Sequence, residues 1–212
     1  MPRRNSPRSE NLRRAVAQEA ARIMAEHGIQ DFRAAKRKAA ERFGVTEEGA
    51  LPSNAEIEES LVAYQRLFGG DAHNATLQAQ RRAALRAMRS LGAYSPRLVG
   101  PVLTGSATAH SDVQLHLFVD NPEAVALSLL DRGVSHEMGE HRLRLDAERF
   151  QVYPAVSFEL DDYMVRATVF PVDGIRQTPV SPVDGRPMRR ADISEVEALL
   201  TADAQERRAT ST

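Results

Sequence analysis

Apolar positions recur at helical spacing through the first ninety or so residues of this 212-residue chain, and strand-like alternation follows. Leu12, Val16, Ala20, Ile23 and Met24 share one face of a helix over 10–27 that Gly28 ends. Asp31 is placed to cap a second helix with Phe32, Ala35, Ala39 and Phe43 inward and Gly44 at its end. Ser53 and Glu56 have capping-box spacing and open a third, whose stripe is Ile57, Leu61, Tyr64 and Phe68 before Gly69-Gly70. A fourth helix is expected over about 75–91. Residues 98–104 then read as a short buried strand delivering Gly105-Ser106, and 111–118 alternate, with Asp112, Gln114 and His116 on one face and Val113, Leu115 and Leu117 on the other. Asn121 is placed to cap a helix over 122–132. Strands are expected at 134–137 leading to 141–145, at 152–160 and at 163–170, the last two joined by a hairpin turn at Asp161-Asp162. A Pro/Gly-containing loop over 175–188 and a helix near 192–202 end the pattern.

The pattern predicts an α+β fold: a helical region over 1–74, and over 75–212 a domain built on one mixed sheet with a C-terminal loop and helix. Residues 1–9 are rich in Pro, Arg and Ser and are expected to be frayed. Hydrophobic residues make up 42% and charged residues 27% of the chain, enough for a sizeable core. The absence of Cys excludes disulfides, zinc–thiolate sites and thiol nucleophiles, and fits a cytoplasmic setting. No apolar run reaches the roughly 18–20 residues that cross a bilayer, so no membrane partner is expected.

Net charge is −1 but unevenly spread: residues 1–45 carry eleven Lys/Arg against five Asp/Glu, and residues 46–75 one against six. The basic helix near 32–43 is therefore a candidate for non-specific nucleic-acid contact, although internal neutralisation by the acidic segment explains the same asymmetry. No aromatic residues interleave with its basic positions, which argues against a stacking platform for single strands. Four histidines, His110, His116, His136 and His141, match no metal-ligand template. Ser106 lacks a nucleophile elbow, no dinucleotide or P-loop fingerprint occurs, and Arg189-Arg190 reads as a solvated loop.

One run carries chemistry: Gly105-Ser106, a five-residue connection ending in Ser111-Asp112, then Gln114 and Leu115 along a strand. It resembles the nucleotidyltransferase superfamily, the group that includes kanamycin nucleotidyltransferase and the minimal nucleotidyltransferases. The resemblance covers about 75–170 and implies a mixed sheet with the motif at strand ends. It also implies Mg²⁺ held by carboxylates at the positions of Asp112 and Gln114 and on a later strand, and a triphosphate held by Gly105, Ser106, Ser111 and His110. The physical logic is that a glycine admits backbone amides to phosphate, and that carboxylates at i and i+2 share two metal ions. Here the second position is Gln114, which brings no charge, and the best counterpart of the third acid is Arg166 in Val165-Arg166-Ala167-Thr168-Val169. If the strands align, Arg166 leaves the sheet on the face of Asp112 and replaces the metal. The expected function is thus a nucleotidyltransferase-fold protein with weakened or lost transfer, binding a nucleotide or other partner in the Gly105-Ser106/Asp112 pocket. The alternatives are an active Mg²⁺-dependent enzyme and a nucleic-acid-binding helical module carried on a structural α/β domain.

Overall fold

A computed structural model describes residues 7–45, 51–146 and 148–210. It is α+β, with helices α1 (Pro7–His27), α2 (Phe32–Phe43), α3 (Asn54–Tyr64), α4 (Gly70–Ser90), α5 (Pro101–Thr104), α6 (Glu123–Leu130) and α7 (Ile193–Thr210). The strands are β1 (Arg97–Val99), β2 (Val113–Phe118), β3 (His136–Arg144), β4 (Phe150–Leu160) and β5 (Tyr163–Phe170). The expectation of frayed ends falls largely on residues 1–6, outside the described residues; α1 starts at Pro7. The chain divides into two compact units: residues up to Ala75 with Ser106–Ser111 and Pro182–Asp184, and the remainder.

Unit one is helical because its caps and stripe agree. Asp31 accepts from Ala34 N, Gly44 takes the left-handed conformation at the end of α2, and Ser53 with Glu56 completes a reciprocal capping box. Val16, Ala20, Ile23, Ala35, Ala39, Ile57 and Leu61 form its core, small residues letting the helices approach closely. The Gly69-Gly70 break is a stop, as expected: Gly70 takes φ 46 and ψ −140, outside helical geometry, and a new helix begins there. Before it, residues Gln65–Gly69 form a π-helical turn. The extra residue of a π turn advances the side chains by about 100°, so Phe68, read as part of the buried stripe, lies 74% exposed beside Leu67 at 76%.

Unit two is built on a mixed five-stranded sheet of order β1-β2-β5-β4-β3, parallel between β2 and β5 and antiparallel elsewhere. Val113, Leu115, Leu117, Val165, Ala167, Val169, Val156 and Phe158 occupy one face and are buried. Asp161 and Asp162, both at positive φ, make the expected hairpin turn. Three expectations change. Residues 98–104 are a strand only to Val99, because Gly100 at φ 71 and Pro101 at N1 turn the chain into α5. Asn121 bonds Glu123 N, while Pro122 occupies the cap position of α6. The two short strands around Gly139 are one, β3, since a glycine on an exposed strand needs no break there.

The displaced stripe yields a test in unit one. Ile57→Ala should cost about 2–5 kcal/mol in denaturant unfolding, while Phe68→Ser should change stability by no more than about 0.5 kcal/mol. A large loss at Phe68 would place it in the core after all.

Candidate functional site

The parallel register of β2 and β5 sets Gln114 opposite Arg166 and His116 opposite Thr168. Asp112, one residue before β2, therefore emerges beside Arg166, whose Nε donates to Asp112 Oδ2 at 2.6 Å. The Asp112 side chain is 17% exposed and that of Arg166 62%, so the pair lies at the rim of the sheet face with the guanidinium in water. Gln114 lies over the backbone of Gly100: a Cβ there would sit 2.5 Å from Gln114 Oε1. Gly105 ends α5 at φ 90, with the buried Arg81 held nearby by its bonds to Val102 O and Asp203. Gly105, Asp112, Gln114 and Arg166 all belong to unit two.

Ser106, His110 and Ser111 belong to unit one and build the fold there. Ser106 Oγ donates to Glu58 Oε1 at 2.7 Å, and Gln65 Nε2 donates to Ala107 O at 2.7 Å. Ser111 Oγ accepts from Thr108 N at 2.9 Å. The His110 ring packs on Gly28, where any Cβ would approach it to 2.8 Å, and Gln30 bonds its carbonyl.

The residues present do not fit a Mg²⁺ pair. A divalent ion between the three motif positions needs anionic oxygens converging on it, whereas one of Asp112's oxygens already takes a guanidinium and the other two positions bring an amide and a cation. Among the described residues no group of three or more His, Asp or Glu side chains is placed to hold a metal ion. The donor set thus disagrees with the ion that the resemblance implies.

Further along the same sheet face lies a group that pattern reasoning missed. Arg190, read as solvated, is half-buried: it stacks over the Phe118 and Phe170 rings at 4.9 and 5.1 Å, and its Nε donates to His116 Nδ1 at 3.0 Å. Its second arm donates to the carbonyls of Gly174 and Ile175. No sequence signal distinguishes Arg190 from Arg189; only the alternation of β2, which aims His116 and Phe118 to this face, hints at a receptor for a cation. Burial, with Arg190 and His141 as further causes, lowers His116 to about 3, and burial lowers Arg190 to about 10. Neutral His116 must accept at Nδ1, so the proton sits on Nε2. His141, also lowered chiefly by burial, bonds Thr168 Oγ1 through Nδ1 at 2.9 Å.

Unit one carries a groove of about 850 Å³ between α1 and α3, lined by Arg13, Arg14, Arg22, Glu56 and Glu59 together with Tyr64, Leu67 and Phe68. Arg13 is tied to Glu56, and Arg22 to Glu19 and Glu26. On α2, Arg33, Arg37, Lys38 and Arg42 are exposed and Lys36 is half-buried, its amine lowered by that burial; Arg42 pairs with Glu19. No family model, curated protein or solved structure matches the chain. Among the described residues no helix is long and apolar enough to cross a membrane.

The His116 environment sets a pH dependence. Its folded pKa lies below that of an unfolded histidine, so the unfolded chain binds the extra proton. Stability from this group is complete above pH 6.5 and is lost as pH falls from 6.5 towards 3. Unfolding free energies of the wild type and His116→Gln, compared across that range, should converge as pH falls. Parallel curves would show that His116 is freely protonated in the fold.

Proposed function

We propose that the chain is a nucleotidyltransferase-fold protein that has given up metal-dependent transfer and keeps the remnant of the site as a metal-free binding surface for a nucleotide or another partner. The observation that carries this reading is the 2.6 Å bond from Arg166 Nε to Asp112 Oδ2, on strands whose register sets Arg166 opposite Gln114. Transfer of a nucleotidyl group needs charge neutralisation at the triphosphate and an activated hydroxyl, both supplied in such sites by metal on clustered carboxylates. A site with one carboxylate already matched by a guanidinium supplies neither. It does offer an exposed arginine fork, whose remaining N–H groups suit a phosphate or carboxylate.

A titration with Mn²⁺ and an assay with labelled ATP, CTP, GTP and UTP decide between this and an active enzyme. The wild type should show no tight Mn²⁺ binding and no label incorporation. Arg166→Asp combined with Gln114→Asp should create Mn²⁺ affinity where there was none, because three acids then converge. Mn²⁺-dependent incorporation by the wild type that Asp112→Ala abolishes would overturn the reading.

The second reading, nucleic-acid contact through α2, is favoured by Arg33, Arg37 and Lys38, which stand exposed on one helix. Three phosphate contacts give a log–log salt slope of about −2 to −3. Binding to duplex DNA or RNA, followed by fluorescence anisotropy, should be weak, sequence-independent and reduced by Arg33→Ala with Arg37→Ala. Sequence-dependent affinity that survives physiological salt would contradict it.

A further inference from the structure

The sheet face that carries the Asp112–Arg166 pair continues onto β4 and β3, and there it is open. The strand registers align Glu137, Ser157 and Arg166 in one row and Gly139, Ala155 and Thr168 in the next. Residues directly opposite in neighbouring strands share a face. The bond between His141 Nδ1 and Thr168 Oγ1, which spans β4, fixes this face as the one that Arg166 and Thr168 present. From β3 to β5 each row is about 9–10 Å wide, twice the strand spacing. The floor is low: nothing stands within 4 Å of where a Cβ of Gly139 would be, and Ala155 adds a single methyl. The row beyond carries His141, Tyr153 and Phe170, the last two in ring contact.

The polar groups around this floor are uncommitted. Arg166 gives only Nε to Asp112; its two Nη groups make no bond among the described residues, and its side chain is 62% exposed. Held along one edge by a carboxylate, the guanidinium is an oriented fork. Its charge, after burial, is the further cause that lowers His141, which sets it over the same face. Ser157 lies opposite Arg166 at a Cβ separation of about 4.5–5.5 Å, and its half-buried hydroxyl has no partner among the described residues. Glu137 is exposed at the far end of the row.

We propose that this face holds a sugar phosphate without metal, the phosphate monoester on Arg166 and Ser157 and the hydroxyls towards Glu137. The inference rests on the metal-free reading of the site and narrows its ligand. A guanidinium fork takes two oxygens in its plane, and a hydroxyl on the neighbouring strand takes a third outside it. A phosphate monoester presents three such oxygens and a carboxylate two. A carboxylate at the far end only accepts, so it selects O–H groups. Charge selects the monoester, which brings about 1.5 to 2 negative charges. A triphosphate would bring two more phosphoryl groups to rows that hold one cation and, in Asp112 and Glu137, two carboxylates flanking it.

Titration of the isotope-labelled full chain with ribose 5-phosphate, followed by amide shifts and calorimetry, tests the inference. Shifts should centre on Gly139, Ser157 and Arg166. Ribose, acetate and ATP without metal should each bind at least about tenfold more weakly, and Arg166→Gln should weaken ribose 5-phosphate by a similar factor. Gly139 is not at positive φ, so Gly139→Val suits an exposed strand and leaves folding intact, yet it fills the floor and should block binding. Inorganic phosphate should compete at the same residues, more weakly because it lacks the sugar hydroxyls. No shift there at millimolar ribose 5-phosphate overturns the inference, as does equal affinity for ribose, inorganic phosphate or ATP, or binding that neither substitution alters. The metal-free reading fails separately, on Mn²⁺ binding and label incorporation: a chain that binds neither Mn²⁺ nor ribose 5-phosphate overturns only the sugar phosphate.

Discussion

Parallel pairing of β2 with β5 is the constraint on which the rest of unit two depends. The two strands are brought side by side only because α6, β3 and β4 fill the crossover between them, and their register decides which side chains share a face. With Leu115 beside Ala167 the aliphatic residues of both strands are buried together. A slip of one residue would carry Val165, Ala167 and Val169 out of the core, which the hydrophobic effect forbids far more strongly than any polar contact could compensate. The Asp112–Arg166 pair is thus a consequence of core packing. At a partly exposed rim such a pair contributes about 0–1 kcal/mol, too little to set a register.

This ordering of energies bears on the chemistry. A cluster of three carboxylates on one sheet face is repulsive unless a cation occupies it, so a protein that carries one depends on metal for local electrostatic balance. Here the balance is internal: one acid, one amide and one guanidinium. The same face farther along is handled in the same way, with Arg190 held by ring faces, two carbonyls and a neutral imidazole and by no carboxylate within ion-pair distance among the described residues. Stacking and backbone carbonyls are softer partners than an acid, and burial, with the Arg97 charge as a further cause, lowers the guanidinium's affinity for its proton.

Much of this was legible in the sequence because the signals are local. Asp31, Gly44, the Ser53–Glu56 box and Asp161-Asp162 act within a turn of their own positions, and 163–170 is a run of strand formers directly after that turn. The face shared by Asp112 and Arg166 was also readable, since alternation fixes facing once two strands are neighbours. What escaped depends on geometry that no window contains. The π turn at Gln65–Gly69 re-phases Phe68 through a single extra residue, and nothing in the surrounding composition marks it. Gly100 and Gly105 look alike as punctuation, yet one opens α5 and the other closes it. The burial of Arg190 depends on a loop returning to a sheet formed some seventy residues earlier.

That returning loop joins two features that otherwise look unrelated. Arg190 and Ala191 are consecutive: the first plants its guanidinium on the aromatic face and the second closes the β1 edge with two backbone bonds. Each assists the other, because ordering the backbone for one contact removes most of the entropic cost of making the next. The same economy is not open to β3. Val180, from the earlier part of the loop, reaches only Arg144 before Pro182–Asp184 join unit one. A strand of this length with its outward N–H and C=O groups uncovered is ordinarily guarded by charge alone, and β3 does carry Glu137, Glu140 and Arg142 there.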